Sequence, residues 1–346
     1  MVNICVSGAA GFIGSNFVRR VLQTGDCSVV ALDALTYSGN LANLAGLENT
    51  GRFRFVHGSI CDPDAVNDAV RGCGAIVNFA AETHVDRSIT DPGVFIDSNV
   101  QGVRVLVEVA VRDGLRLIQV STDEVYGSVA GEGHSSEDSP LDPSSPYAAS
   151  KASADLLVTA SIKTYDLDAV ITRCGNNYGP RQFPEKLIPL FVSNALDDEP
   201  LPLYGDGLNV RDWIHVDDHC DAIRLVLEKG EKGRIYNVSA GTRVTNLEVC
   251  ERILSATGRS RSLIRMVDDR PGHDRRYALD ASRIRNELGW RARIEFDAGL
   301  ASTVTWYREN RRWWEEIKSG EYRRYYDELY GQRLSTSRDV GDAGGE

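Results

Sequence analysis

Short apolar runs alternate with segments of helical period through the first half of the chain. Residues 2–7 predict a buried strand and 12–24 a helix. Strands follow at 28–32 and 53–57, a helix at 62–71 and a strand at 75–79. A long helix over 92–113, a strand at 117–120, a helix from 145 to about 165 and a strand at 168–173 complete the series. Strands alternating with helices predict a parallel, doubly wound α/β sheet. Beyond Arg173 the pattern becomes irregular. Residues 175–184 and 200–209, rich in Gly, Pro and Asn, read as loops around a helix at 187–197. Asp217 and Asp218 precede an apolar-periodic helix at 220–229. Residues 235–238 return to the sheet, 245–257 form a helix, and 303–330 one terminal helix or a pair. There is no internal repeat and no clean linker, so the second half reads as a smaller lobe interleaved with the sheet.

Composition narrows the function. The net charge is −11, from 39 basic and 50 acidic residues, which argues against a general nucleic-acid or anionic-membrane surface. A local anion site needs only a few arginines and helix N-termini. The seven cysteines are scattered with no C-x-x-C pair; a disulfide framework or zinc site is not expected, and a reducing, cytoplasmic setting is. The N-terminus lacks the pattern of a signal peptide, and no apolar run approaches membrane-spanning length.

Gly8, Gly11 and Gly14 stand at G-x-x-G-x-x-G spacing between the first strand and the first helix. Gly8 and Gly11 permit a tight turn whose N–H groups meet a pyrophosphate at the positive helix end; Gly14 lets helix and sheet approach. Glycines alone are a weak signal. Asp33, about 20 residues on at the end of the second strand, strengthens it. A carboxylate there accepts from a ribose diol and repels a 2′-phosphate, so the expected cofactor is NAD.

At the end of another apolar strand stand Thr122, Asp123 and Glu124. Adjacent carboxylates act as separate acid and base when their surroundings push their pKa values apart. Tyr147 and Lys151 share one face of a predicted helix, where an ammonium lowers the pKa of a nearby phenol and makes it a plausible base.

The glycines, Asp33, Asn78-Phe79-Ala80-Ala81, Ser121-Thr122 and Tyr147/Lys151, in this order, resemble the extended short-chain dehydrogenase/reductase family. Thr122–Gly127, Ala81–Ser88, Asn176–Pro180, Pro184–Pro189, Gly205–Trp213 and Asp269–Asp274 narrow the resemblance to its dTDP-glucose 4,6-dehydratase branch. The resemblance implies an NAD-binding Rossmann-type domain over 1–175 with returning segments near 210–240 and a substrate-binding lobe over 176–330; the polar, Gly-rich stretch over 331–346 reads as a disordered tail. It implies a cofactor site of Gly8, Gly11, Phe12, Ile13, Gly14, Asp33, Ile60, Ala80, Tyr147 and Lys151. It implies substrate contacts from Glu82, Asn177, Lys186, Arg211, Asn246, Arg270 and His273, and a homodimer joined through helices near 94–112 and 147–164.

The implied reaction oxidises sugar C4 with Tyr147 and Thr122 at O4, removes the C5 proton with Glu124, protonates the leaving C6 hydroxyl from Asp123 and returns hydride to C6. Another sugar-nucleotide enzyme, such as a 4-epimerase or a UDP-sugar dehydratase, and a non-catalytic NAD-binding protein are the alternatives. Ser59 stands where the family often has an adenine-contacting Asp, which leaves that contact to a neighbour such as Asp62; Thr172-Arg173-Cys174-Gly175 also departs from the pattern. Arg275 and Arg276 read as surface residues. His215–His219 reads as a strand end and acidic helix cap rather than a metal cluster. The aromatic and arginine-rich stretch 306–330, interrupted by acids, reads as an amphipathic helix packed on the body.

Overall fold

The computed structural model describes residues 2–25 and 27–339. Its strands are β1 (Val2–Ser7), β2 (Cys27–Asp33), β3 (Phe53–His57), β4 (Ala75–Asn78), β5 (Arg116–Thr122), β6 (Ala169–Cys174), β7 (Asn176–Tyr178), β8 (Leu201–Tyr204), β9 (Val210–His215), β10 (Ile235–Val238), β11 (Thr242–Thr245), β12 (Ile264–Val267) and β13 (Arg338–Asp339). A seven-stranded sheet runs in the order β10-β6-β5-β4-β1-β2-β3, with every pair parallel. β4, β5 and β6 are buried nearly throughout because helices cover both faces, which is why their sequences read as continuous apolar runs.

On one face lie α1 (Phe12–Thr24) and, from late in the chain, α8 (Val216–Lys229). On the other lie α2 (Pro63–Val70), α5 (Gly102–Asp113) and α6 (Pro146–Tyr165). Two short helices, α3 (Val85–Thr90) and α4 (Gly93–Ile96), lead into α5, and α7 (Leu187–Leu196) follows α6. Chain order reverses on either side of β1: β2 and β3 lie to one side, β4, β5 and β6 to the other. The crevice at the carboxyl ends of these strands is where an open α/β sheet holds ligands. A buried polar ladder crosses it: Ser7 Oγ donates to Asn78 Oδ1 (2.6 Å) and Asn78 Nδ2 to Gln119 Oε1 (2.8 Å).

The second core joins α7 with α9 (Asn246–Thr257), α11 (Phe296–Glu309), α12 (Arg311–Ile317) and α13 (Glu321–Ser335) around Trp213, Tyr307 and Trp314; α10 (Ser282–Leu288) packs on the first core instead. Here the structure departs from the sequence expectation. The stretch 200–209 contains β8, whose Leu201 and Leu203 are buried beside β12 while Pro202 sits between them. A four-residue run containing a proline, with no alternation of buried and exposed positions, is too short to register as a strand. The helix over 92–113 is interrupted by a π turn at Asp97–Gln101. The helix at 220 begins four residues earlier, because His215 Nδ1 accepts from Asp217 N (3.2 Å) and caps it. The terminal stretch forms three helices, and the chain expected to be disordered after 330 continues α13 to Ser335 and pairs β13 with β12. Residues 340–346 of that tail lie outside the described residues.

Candidate active site

A cavity of about 340 Å³ opens along the crevice and reaches under the second lobe. Every residue assigned to the cofactor lines it: Gly8, Gly11, Phe12, Ile13, Gly14, Asp33, Ile60, Ala80, Tyr147 and Lys151. Gly8 has φ +68°, and a Cβ there would stand 2.5 Å from the Ala80 nitrogen; one on Gly14 would overlap the Gly8 carbonyl. Gly11, the N-cap of α1, offers no side-chain acceptor, so the first-turn N–H groups are free of one. Asp33 Oδ2 accepts from Ala10 N and Oδ1 from Leu35 N, both at 2.8 Å, which fixes the carboxylate at the cavity edge with lone pairs to spare. Bare backbone donors at a helix N-terminus, followed by a fixed acid, fit the pyrophosphate and ribose of NAD.

Ser59 also lines the cavity, its Oγ accepting from Cys61 N at 3.1 Å. Asp62 is exposed and does not line the cavity, and its Oδ1 caps α2 by accepting from Asp64 N (2.9 Å). Cys174 lies in the wall with its thiol pushed up to about 12, chiefly by burial.

Further in, β5 ends at Thr122 and the chain turns through Asp123 and Glu124 in a short 3-10 turn. Thr122 Oγ1 accepts from Glu124 N and donates to Asp123 Oδ1, each at 3.3 Å. Asp123 is 3% exposed and Tyr147 7%. The two carboxylates have different surroundings. Asp123 is held well above the ordinary carboxylate range by burial, then by Glu124 and Asp212, against Arg211 and a Thr122 hydrogen bond. Burial raises Glu124 too, but Arg270, Lys186 and Arg211 pull it down. The cations therefore favour charge on Glu124 and leave the proton with Asp123.

Tyr147 differs from expectation. Its phenol is pushed well above its ordinary value by burial first, then by Glu124 and Cys174, with a Thr122 hydrogen bond acting the other way. Lys151 Nζ donates to the Val120 carbonyl at 2.8 Å. Enclosure sets this direction, which is opposite to the one expected from a lysine one turn away.

Of the expected substrate contacts, Glu82, Asn177 and Lys186 line the cavity; Arg211, Asn246, Arg270 and His273 do not. Three of the latter are engaged by protein: Arg211 with the carbonyls of Val210 and Asp274, Arg270 with Asp86 at 3.2 Å, His273 with Asp269 at 2.6 Å. Buried Asn246 Oδ1 and Arg270 Nε lack hydrogen-bond partners. Lys186 Nζ donates to Thr83 O (2.7 Å). Arg275 pairs with exposed Asp206, as a surface residue would. His219 Nδ1 meets Asn177 Oδ1 at 2.8 Å, so that histidine supports the loop. Sequence reasoning missed Asn99 in the π turn. It accepts from Glu82 N, donates to Glu82 O (3.0 Å) and to Ser150 Oγ (2.8 Å), and so ties the Glu82 loop to α6 beside Lys151. An asparagine within an apolar helical pattern was the available signal.

A family model described as GDP-mannose 4,6 dehydratase matches residues 5–303. The dTDP-glucose 4,6-dehydratase of Streptomyces niveus is 53% identical over 92% of this chain and 96% of its own. The crystal structure of DesIV, a dTDP-glucose 4,6-dehydratase from Streptomyces venezuelae solved with NAD bound, superposes with a TM-score of 0.90 at 54% identity, over 92% of this chain and all of that one (100%). The UDP-glucose 4-epimerase of Thermus thermophilus, solved with NAD, has the same fold at a TM-score of 0.83 and 31% identity over 89% of this chain and 100% of its own. The chain belongs to the dTDP-glucose 4,6-dehydratases of the extended short-chain dehydrogenase/reductase family.

Proposed function

We propose that the protein converts dTDP-glucose to dTDP-4-keto-6-deoxyglucose and water, with NAD recycled in place. The carrying observation is the Asp123–Glu124 pair in the same cavity as Thr122 and Tyr147, with cations facing one carboxylate more than the other. When bound, NAD⁺ supplies reversible hydride acceptance, first from C4 and finally to C6. Gly8, Gly11, Phe12, Ile13, Gly14, Asp33, Ile60 and Ala80 hold it, with Tyr147 and Lys151 at its reactive end. Tyr147 takes the O4 proton while Thr122 hydrogen-bonds that oxygen. The 4-ketone acidifies C5–H, and Glu124 removes that proton. Asp123 gives its own proton to the C6 hydroxyl, which leaves as water, and C5 is then reprotonated. A 4-epimerase returns hydride to C4 and uses no acid–base pair, so the pair favours elimination over epimerisation in this shared fold.

Glu82, Asn177 and Lys186 receive the sugar nucleotide at the cavity wall, and Arg211, Asn246, Arg270 and His273 form the outer diphosphate and nucleoside contacts. An arginine fork suits diphosphate oxygens, and Arg270 Nε is free to donate. Purified protein given dTDP-glucose or UDP-glucose, without added NAD, should form the 4-keto-6-deoxy product faster from dTDP-glucose. A product that keeps the C6 hydroxyl sinks the dehydratase reading, and equal rates sink the thymidine preference.

We propose further that the enzyme is a homodimer in the cytoplasm. Val94 and Ile96 on α4 and Leu156 on α6 are exposed at 44%, 46% and 60%. Apolar side chains grouped on helices suit a two-fold interface. The seven cysteines, scattered along the chain with no C-x-x-C pair, suit a reducing compartment. Light scattering should give about double the 38.0 kDa chain mass, and Leu156→Glu should shift it toward one chain; a monomeric wild type overturns the dimer.

A further inference from the structure

Segments far apart in sequence meet at one edge of the cavity. The loop after β2 brings Tyr37, which stands between the cavity-lining Thr36 and Ser38. α3 brings Arg87, and the stretch before α7 brings Phe183 and Glu185, which line the same cavity. α13 backs them with Tyr322 and Tyr325. The Arg87 guanidinium lies 4.2 Å from the centre of the Tyr37 ring and 4.1 Å from that of Tyr325, so it is held between two rings. Its Nε stands 3.6 Å from Glu185 Oε2, an ion pair without a hydrogen bond. Tyr37 also packs edge-on against Phe183 (5.5 Å between ring centres), and Phe183 against Tyr322 (5.9 Å), whose hydroxyl donates to Pro184 O at 2.7 Å. The Tyr325 ring stands edge-on to His84 at 5.7 Å.

We infer that Arg87 is a positioning residue, a cation clasped between Tyr37 and Tyr325 that ties the loop along the cofactor half of the cavity to the segment along the sugar half, and so slows loss of the dinucleotide. The inference rests on the cavity being the NAD site. For a dinucleotide to leave along this edge, the loop carrying Tyr37 must part from Phe183 and Glu185. That parting breaks either the guanidinium's contact with Tyr37 or its contacts with Tyr325 and Glu185, according to the side Arg87 stays with. A contact of this kind, partly withdrawn from water, corresponds to about tenfold in the opening equilibrium. Lysine cannot replace the planar group in the sandwich, because only a guanidinium stacks on two faces at once.

The test is retention of NAD by the purified holoenzyme. Gel-filtered protein is incubated with excess isotopically labelled NAD, and release of the original cofactor is followed by chromatography. Arg87→Ala and Tyr325→Ala should each release NAD about tenfold faster and regain turnover when NAD is added. Tyr325→Phe, which keeps the ring, should match wild type, and Arg87→Lys should fall between. Wild-type release rates in both alanine variants, each melting at the wild-type temperature, overturn the inference. Should Arg87→Ala fail to fold, Tyr325→Ala and Tyr325→Phe decide it. Wild-type protein that carries no NAD and cannot take it up overturns the cofactor reading instead.

Discussion

Asp123→Asn and Glu124→Gln should each slow dehydration of dTDP-glucose by about 10²–10⁴-fold, the range for losing one positioned acid or base, and should stop the reaction at different bonds. Asp123 feels Glu124 and Asp212 on top of burial, while Arg270, Lys186 and Arg211 face Glu124. Two acids this close do not both ionise readily, and the one with more cations loses its proton first. The proposed assignment therefore makes Glu124 the base at C5 and Asp123 the donor to the C6 oxygen. In deuterated water the Asp123→Asn enzyme should still exchange the C5 hydrogen, so that recovered dTDP-glucose carries deuterium there, yet release almost no water. The Glu124→Gln enzyme should show neither exchange nor elimination. Wild-type elimination rates in both variants refute the assignment. Exchange kept by Glu124→Gln and lost by Asp123→Asn would reverse the two roles.

The parts of this site that could be read from the sequence are those made by one short segment. The turn from Gly8 to Gly14 is a strand, a tight turn and a helix start, and its consequence is local: backbone donors with no Cβ in the way. Asp123 and Glu124 are adjacent, and Tyr147 and Lys151 are one helical turn apart, so their neighbourhoods follow from strand and helix geometry. The parallel sheet was legible for the same reason, since buried strands and covering helices have different periods. β8 escaped because its pairing partner, β12, lies some sixty residues on and only tertiary contact makes a strand of Leu201–Tyr204. Arg211, Arg270 and His273 could be named but not placed: their present partners, Asp274, Asp86 and Asp269, are set by packing of the second lobe. Arg87 is the extreme case, since Tyr37, Glu185 and Tyr325 reach it from three other segments.

Packing also reversed one electrostatic expectation. A lysine one turn from a tyrosine lowers the phenol pKa only if its ammonium outweighs the loss of solvent. Here Lys151 is itself buried, which lowers its own pKa, with Asp155 acting in the opposite direction. The charged neighbour with the larger effect on Tyr147 is Glu124, the same group proposed as base for the next step. On that assignment the two half-reactions are coupled through charge: an ionised Glu124 is ready for C5 but holds back the phenol.

That coupling makes Tyr147 the second decisive position. Tyr147→Phe should lower C4 oxidation by roughly 10²–10⁴-fold while NAD stays bound, seen as loss of the nicotinamide spectral change on mixing with dTDP-glucose. The sign of the pH effects follows from the phenol's neighbours. A raised pKa keeps the phenol protonated to higher pH, so the rate of C4 oxidation climbs with pH until that value is passed. Glu124→Gln removes a carboxylate that raises the phenol, so the rising limb should move to lower pH. Thr122→Val removes a hydrogen bond that lowers it, so the limb should move to higher pH. A structural disturbance would slow both variants without displacing their limbs in opposite directions. If both limbs stay in place, or shift the same way, Tyr147 is not the group whose ionisation governs the oxidation.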